Sequence, residues 1–377
     1  MKYKRCDRMK KIAIITLTKN ANYGNVLQNI ALQKVLEGYG FCVETIINKT
    51  NSSLFVDQKQ NIKGYIKYII NYKNTRVEKK KSLIFREFCQ SRIHYSLITY
   101  NYGRFSSDPN KEYDYFVTGS DQVWNPMFGF ASDFELLAFT SKNKKLSYSA
   151  SFGISDFTQV SDEVKQRIIK GINNFQRISV REKSGKKFVD KYCDVDSSVH
   201  IDPTLLLSQN IWSEFARKPK KKIPSNYILV YMLGENSANK YKEEIKRLAR
   251  INDNAKIINL IDGSWRYIRP DGFVWLIKNA TYVCTDSFHA SVFSIIFHKS
   301  FRIFSRIDNF ANQETRLISL CQTLDIPLTQ VMYGNQNLRL DCPKIDWNVM
   351  ERKLAVERSK AHTYLEEILH LQNDSEI

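Results

Sequence analysis

Ile12-Ala13-Ile14-Ile15-Thr16-Leu17, the polar loop Asn20-Ala21-Asn22-Tyr23-Gly24-Asn25, and Phe41-Cys42-Val43-Glu44-Thr45-Ile46-Ile47 decide the fold class of this chain. The two apolar runs read as buried strands. Between them Leu27, Ala31 and Val35 fall at i, i+4 and i+8 with Leu32 and Leu36 beside them, as on the buried face of a helix. Strand, helix, strand is the parallel βαβ unit, and its first loop should face a cleft, because open α/β sheets bind ligands beside the carboxyl ends of their strands. There Gly24 lets a ligand approach the backbone, while Asn22 and Asn25 are candidate capping and substrate-binding residues.

The rhythm continues outward from this unit. Residues 113–118, 146–150, 178–180 and 199–201 read as strands, with a helix at 162–175 behind Ser161 as N-cap. A Lys- and Pro-rich run at 218–224 reads as a linker. Beyond it, strands are expected at 227–233, 256–261, 282–284 and 301–304, with helices at 238–250, 272–279 and 291–297. The expected division is therefore an N-terminal domain over 1–217, a C-terminal domain over 218–345, and a helix within 346–377 that crosses back to the first domain. Residues 48–107 break the pattern. Ile62, Ile66, Ile69 and Ile70 suit an amphipathic helix surrounded by Lys59, Lys63, Lys67, Lys73, Lys79, Lys80 and Lys81. The simpler reading is a solvated helical insertion covering the sheet; the other is peripheral contact with an anionic membrane.

A chain of 377 residues exceeds one ordinary core, which supports two units with a cleft between them. With 43% hydrophobic and 25% charged residues it has a globular composition, neither disordered nor fibrous. The formal charge of +18 favours polyanions, anionic lipid or phosphorylated substrates without choosing among them, and lysine-rich composition alone explains it equally well. Seven scattered cysteines with no CxxC spacing argue against a disulfide framework and a zinc ribbon, so a reducing cytoplasm is the simplest compartment. No run approaches transmembrane length. The six histidines are dispersed, so no metal site is expected. Walker, GxGxxG, HExxH and GxSxG patterns are missing, which lowers the case for an ATPase, a dinucleotide enzyme, a zincin or a serine hydrolase.

Candidate chemistry sits where strands give way to helices. Thr285-Asp286-Ser287-Phe288-His289-Ala290 follows one strand and opens a helix, whose free N–H groups and dipole attract anions. A histidine there is disfavoured in its charged form and can accept a proton from a hydroxyl, so His289 is a candidate catalytic group, with Asp286 and Ser287 as substrate-binding neighbours. The alternative for His289 is a structural helix cap. Arg181 follows the 178–180 strand; its guanidinium matches a carboxylate or phosphate, or else pairs with Glu182 or Asp202. Asp121, flanked by Ser120 and Gln122, binds sugar hydroxyls, acts as a base or caps the next segment. Trp124 stacks on a sugar or fills the core, and His298 reads as structural.

These residues belong to six segments in which the chain resembles the polysaccharide pyruvyl transferase family. They are Asn22-Tyr23-Gly24-Asn25-Val26-Leu27-Gln28, Tyr113-Asp114 leading to Thr118-Gly119-Ser120-Asp121-Gln122-Val123-Trp124-Asn125, Ser149-Ala150-Ser151-Phe152-Gly153, Val180-Arg181-Glu182, Asp202-Pro203-Thr204-Leu205-Leu206, and Thr285-Asp286-Ser287-Phe288-His289, in the family's order. The resemblance implies two Rossmann-like domains facing a central cleft, the GT-B-like glycosyltransferase architecture. It also implies transfer of a pyruvyl group from phosphoenolpyruvate to a saccharide as a ketal, in surface polysaccharide biosynthesis. Arg181 and His289 match positions expected to hold the donor. Phosphoenolpyruvate would be a substrate, with no separate cofactor. The implied partner is a saccharide acceptor, lipid-linked in the fullest version, and no nucleic acid; the implied location is the cytoplasm or the inner face of the membrane. The chain departs from the family in Ala290, where glycine is usual, and in His298-Lys299-Ser300, where Gly-Lys-Pro is usual. The rival readings are a GT-B glycosyltransferase using a nucleotide sugar, and a carbohydrate-binding protein without turnover.

Overall fold

The structure, a computed structural model, describes residues 9–18, 21–50, 72–129, 131–155, 157–158, 160–234, 237–306, 314–332 and 345–369. Eight strands form the larger sheet: β1 (Lys11–Ile15), β2 (Cys42–Asn48), β3 (Tyr95–Asn101), β4 (Arg104–Phe105), β5 (Tyr115–Asp121), β6 (Lys145–Ala150), β7 (Ile178–Val180) and β8 (Ser197–Val199). Their spatial order is β4-β3-β2-β1-β5-β6-β7-β8, and every pair is parallel except β3 with β4. The smaller sheet is wholly parallel, in the order β10-β9-β11-β12, from β9 (Tyr227–Tyr231), β10 (Lys256–Asn259), β11 (Tyr282–Thr285) and β12 (Phe301–Ile303). β1, β9 and β11 are short apolar runs buried along almost their whole length, as strands covered on both faces must be.

The helices, in chain order, are α1 (Tyr23–Gly38), α2 (Tyr72–Arg92), α3 (Asp162–Ile172), α4 (Lys183–Tyr192), α5 (Pro203–Leu206), α6 (Gln209–Phe215), α7 (Ser237–Lys240), α8 (Lys242–Ile251), α9 (Pro270–Asn279), α10 (Phe288–Ile296), α11 (Glu314–Thr323), α12 (Leu328–Val331) and α13 (Trp347–Ile368). α1 and α10 matter most for the site. Asn22 caps α1 by accepting from Gly24 N at 2.8 Å and Asn25 N at 3.3 Å; Ser287 caps α10, accepting from Ala290 N at 3.5 Å.

Several expectations need correction. The 48–107 segment is not simply a helical cover: α2 is followed by β3 and β4, which extend the sheet at its edge. The helix expected around Ile62 to Ile70, with Lys59, Lys63 and Lys67, lies outside the described residues. The strand expected at 199–201 is displaced to Ser197–Val199, because His200, Ile201 and Asp202 leave the sheet and Asp202 caps α5. The helix expected over 238–250 divides at Tyr241 into α7 and α8. Cys42 is disulfide-bonded, whereas Cys89, Cys193, Cys284 and Cys321 are free, so the described cysteines do not form a disulfide framework.

The lobes meet along the first turn of α1. Tyr23 is 1% exposed, stacks on Phe273 of α9 at 4.3 Å between centroids, and donates its hydroxyl to Ile268 O at 2.9 Å. α13 spans the back of this seam. Tyr364 donates to Ser147 O and Arg358 to Leu205 O in the larger lobe, while His298 of the smaller lobe bonds Glu351 at 2.8 Å and stacks on Trp347.

Candidate active site between the lobes

Asp202 is the hub. Its Oδ2 accepts from Arg181 Nη1 at 3.0 Å and Ser120 Oγ at 3.0 Å, and lies 3.4 Å from His289 Nε2. Its Oδ1 is spent locally on Thr204 N and Oγ1 at the start of α5. Burial opposes ionisation of this carboxyl, but the imidazole of His289 and then the guanidinium of Arg181 outweigh it and hold Asp202 far below the usual carboxylate range. It is therefore an anion at every physiological pH.

Arg181 reaches this hub because β7 ends at Val180 and its own N–H bonds Ala150 O, which aims the side chain across the carboxyl ends of β5 and β6. Nη2 donates to Asp121 Oδ1 at 3.1 Å, and the guanidinium lies 4.3 Å above the ring of Phe288, which belongs to the other lobe. Burial works against the charge, but Asp121 and Asp202 reverse that and raise the Arg181 pKa. Of the pairings expected for Arg181, the one with Asp202 is present, and its second hydrogen-bond partner is Asp121 and not Glu182.

His289 enters from the first turn of α10 and is 6% exposed. The Nδ1 edge of its ring lies against Gly24, where a Cβ would stand 2.1 Å from Nδ1. Glycine at 24 is thus what permits the two helix N-termini to close on each other. Asp202 beside Nε2 favours the ring proton on that nitrogen, which leaves Nδ1 as the acceptor facing α1. The cluster retains unsatisfied capacity: Arg181 Nε and Glu182 Oε2 are buried without a hydrogen-bond partner. Two such atoms side by side are uncommon in a finished core and make this cluster the candidate functional site.

The other sequence candidates divide. Asp121 belongs to the cluster and adopts a left-handed φ of 64°, a strained setting for a non-glycine residue. Ser120 is fully buried and positions Asp202, so it does not present itself to a substrate. Gln122 accepts from Asn125 Nδ2 at 2.6 Å and packs over Gly153, shaping the loop and not the cleft. Asp286 is also structural. Its two oxygens accept from Leu233 N at 2.6 Å and Gly234 N at 2.8 Å, tying α10 to the end of β9, and burial raises its pKa despite those bonds. Ser287 and Asn22 serve as helix caps, and Asn25 is half-buried on the first turn of α1. Trp124 is a core residue, fully buried and bonded to Glu135 O.

Sequence reasoning missed Asp202 as the hub, although its place after a strand and before Pro203 is the same signal that singled out Arg181. It also missed Arg316 on α11, which is 7% exposed with Nη1 4.0 Å from Asp121 Oδ1. Two guanidiniums therefore share one carboxylate oxygen. Burial and then the neighbouring Arg181 bring the Arg316 pKa down to about 10. Among the described residues no group of three or more His, Cys, Asp or Glu could hold a metal ion.

A family model described as polysaccharide pyruvyl transferase matches residues 22–309, a span containing Gly24, Asp121, Arg181, Asp202 and His289. The chain belongs to the polysaccharide pyruvyl transferase family. No curated protein matches it by sequence. Among solved structures it is similar to S. aureus MnaA in complex with UDP, at 12% identity and a TM-score of 0.51, covering 97% of this chain and 98% of that one. It is also similar to UDP-N-acetylglucosamine 2-epimerase from Rickettsia bellii, at 10% identity and a TM-score of 0.50, covering 98% and 99%. At such identities the likeness concerns the fold alone, and it is the GT-B-like arrangement of two Rossmann-like lobes. In this family member the fold places the Arg181–Asp202–His289 cluster at the carboxyl ends of β5 to β7, facing the start of α10.

Proposed function

We propose that the protein transfers the enolpyruvyl carbons of phosphoenolpyruvate to a saccharide as a cyclic ketal, releasing inorganic phosphate. The observation that carries this reading is the convergence of Arg181 from the larger lobe and His289 from the smaller one on Asp202, at the edge of two helix N-termini. Family membership makes the class a transferase; the donor and the ketal are the proposal.

The chemistry fits the cluster. The donor methylene takes a proton and leaves a cationic carbon; one sugar hydroxyl attacks and yields its proton; phosphate departs with the electrons of its C–O bond, and a second hydroxyl closes the ring. Two hydroxyl protons are released, one proton is consumed at carbon, and phosphate carries the balance. His289, oriented by Asp202, is suited to accept a hydroxyl proton, and Arg181 to neutralise the donor's carboxylate or phosphate. Arg181, Asp121 and His289 are only 5%, 5% and 6% exposed, so substrates enter when the lobes part. Parting withdraws Phe288 and His289 while Arg181 stays with Asp121 and Asp202 on its own lobe, which uncovers the guanidinium. A lipid-linked saccharide handled at the inner face of the membrane is the acceptor class this reading favours.

The test incubates the protein with phosphoenolpyruvate and a panel of saccharide acceptors and follows phosphate release together with the mass of the sugar. Release should depend on the acceptor, the sugar should gain one pyruvyl group, and His289→Ala and Arg181→Ala should each abolish both signals. Full activity in the two variants would remove the site assignment. A sugar gained from a nucleotide sugar would instead replace the reaction with glycosyl transfer.

A further inference from the structure

We propose that the face built by α2, the 217–222 segment, the 263–267 turn and the start of α9 docks on an anionic phospholipid surface. Segments far apart in the chain converge there, each bringing cations that lie on aromatic rings. Lys80 Nζ sits 4.7 Å from the ring centroid of Tyr267, Lys221 Nζ 5.0 Å from Trp265, and Lys218 Nζ 5.9 Å from Trp275. Arg269 lies over Phe88 at 5.2 Å, joining the smaller lobe to α2. Lys80, Lys218 and Arg269 are exposed, and Lys221, Trp265, Tyr267 and Trp275 half-buried.

Cations outnumber acids on this face, and the nearby carboxylates face cations: Asp271 is bonded to Arg269 at 3.0 Å, Asp262 lies 3.9 Å from Arg266, and Glu78 interacts with Lys81. Burial lowers the pKa of Lys81, with Glu78 opposing the shift and Arg266 adding to it. The bound form of such a face is a polyanion. Its aromatic content selects lipid over nucleic acid: Trp and Tyr at the level of lysine ammoniums are the side chains that settle at the headgroup boundary, and Leu83, one turn along α2 from Lys80, is 44% exposed beside them. Position agrees with this choice. Phe85 of α2 and Phe273 of α9 clasp Tyr23, next to the Gly24 that meets His289, so the face borders the seam through which substrates reach the site. The docking claim does not depend on the reaction proposed above.

The experiment sediments the full chain with vesicles of phosphatidylcholine alone, or with one third phosphatidylglycerol, at physiological ionic strength. The protein should bind the anionic vesicles only, and more weakly as salt rises. Lys80→Glu/Lys218→Glu/Lys221→Glu should bind about 100-fold more weakly, from the contribution of each cation near such a surface. Lys111→Glu/Arg352→Glu/Lys353→Glu, with the same change in net charge on exposed residues elsewhere, should bind as the wild type does. Thermal melts of both variants check folding, and the corresponding Gln variant replaces any that fails. Absence of wild-type binding, equal losses in the two triple variants, or tighter binding to single-stranded RNA than to the vesicles would each overturn the proposal.

Discussion

Three side chains from distant parts of the chain depend on the carboxylate of Asp202, and the smallest residue nearby decides whether they can meet. Gly24→Ala places a methyl against His289 Nδ1 at 2.1 Å, so either α1 or the imidazole must move. Displacing a catalytic group by about 1 Å costs on the order of 100-fold in rate, so with His289 in its proposed role the rate of the proposed transfer in Gly24→Ala should fall by that factor while the fold survives. Gly38→Ala at the other end of α1, with nothing within 4 Å, should be neutral, and steady-state rates of the two variants provide the comparison. A second residue-scale prediction concerns His200, 5% exposed and 2.9 Å from Ser179 Oγ. Burial, with Arg177 and Lys360 nearby, lowers its pKa from 6.5 to about 4. The unfolded chain therefore binds a proton that the folded one refuses between those values. The stability that His200 contributes is complete above pH 6.5 and is lost as pH falls toward 4, by at most about 1.4 kcal/mol per pH unit. Urea midpoints measured from pH 7 to 4.5 should fall less steeply in His200→Gln than in the wild type; parallel profiles would refute this.

At the scale of elements, what sequence could and could not reveal follows from burial. β1, β9 and β11 are apolar along their length and were legible for that reason; β8 has three half-buried residues, so its signal slid onto Val199 and Ile201. β3 was hidden by alternation that leaves Leu97 95% exposed, and α4 by lysines that leave only Gly185, Phe188 and Val189 inside. Arg181, Asp121 and His289 were legible because each stands where a strand ends or a helix begins. Asp286, Ser120 and Gln122 stand in such places too, yet serve the backbone, since a turn needs caps before it can offer ligands. Arg316 carried no signal of this kind: it projects from α11, and only tertiary packing brings it to Asp121. Its shared hold on Asp121 gives it a share of the donor's negative charge in the proposed reaction. Arg316→Gln should therefore raise the KM for phosphoenolpyruvate more than it lowers kcat, and Arg316→Lys should recover part of the loss; an effect on thermal stability alone would assign Arg316 to packing.

At the scale of the whole molecule the two lobes were expected from chain length and rhythm, whereas their manner of contact was not. Sequence patterns report which face of an element is buried but not which distant element buries it. Tyr23 illustrates this: it lies in a loop motif read as ligand-facing, yet its ring is sandwiched among Phe85, Tyr231 and Phe273, and its hydroxyl crosses the seam to Ile268. The lobes thus close on a shared aromatic cluster on one side and on the Arg181–Asp202–His289 cluster on the other. A ligand that binds between them must draw on both halves of the chain, and its loss on mutating either half is the signature of that geometry. Calorimetric titration of phosphoenolpyruvate into the wild type, Arg181→Ala and His289→Ala reads this out without an acceptor. Binding to the wild type that disappears in each variant is the predicted result; equal binding in all three, or binding of UDP-N-acetylglucosamine with none of phosphoenolpyruvate, would contradict it.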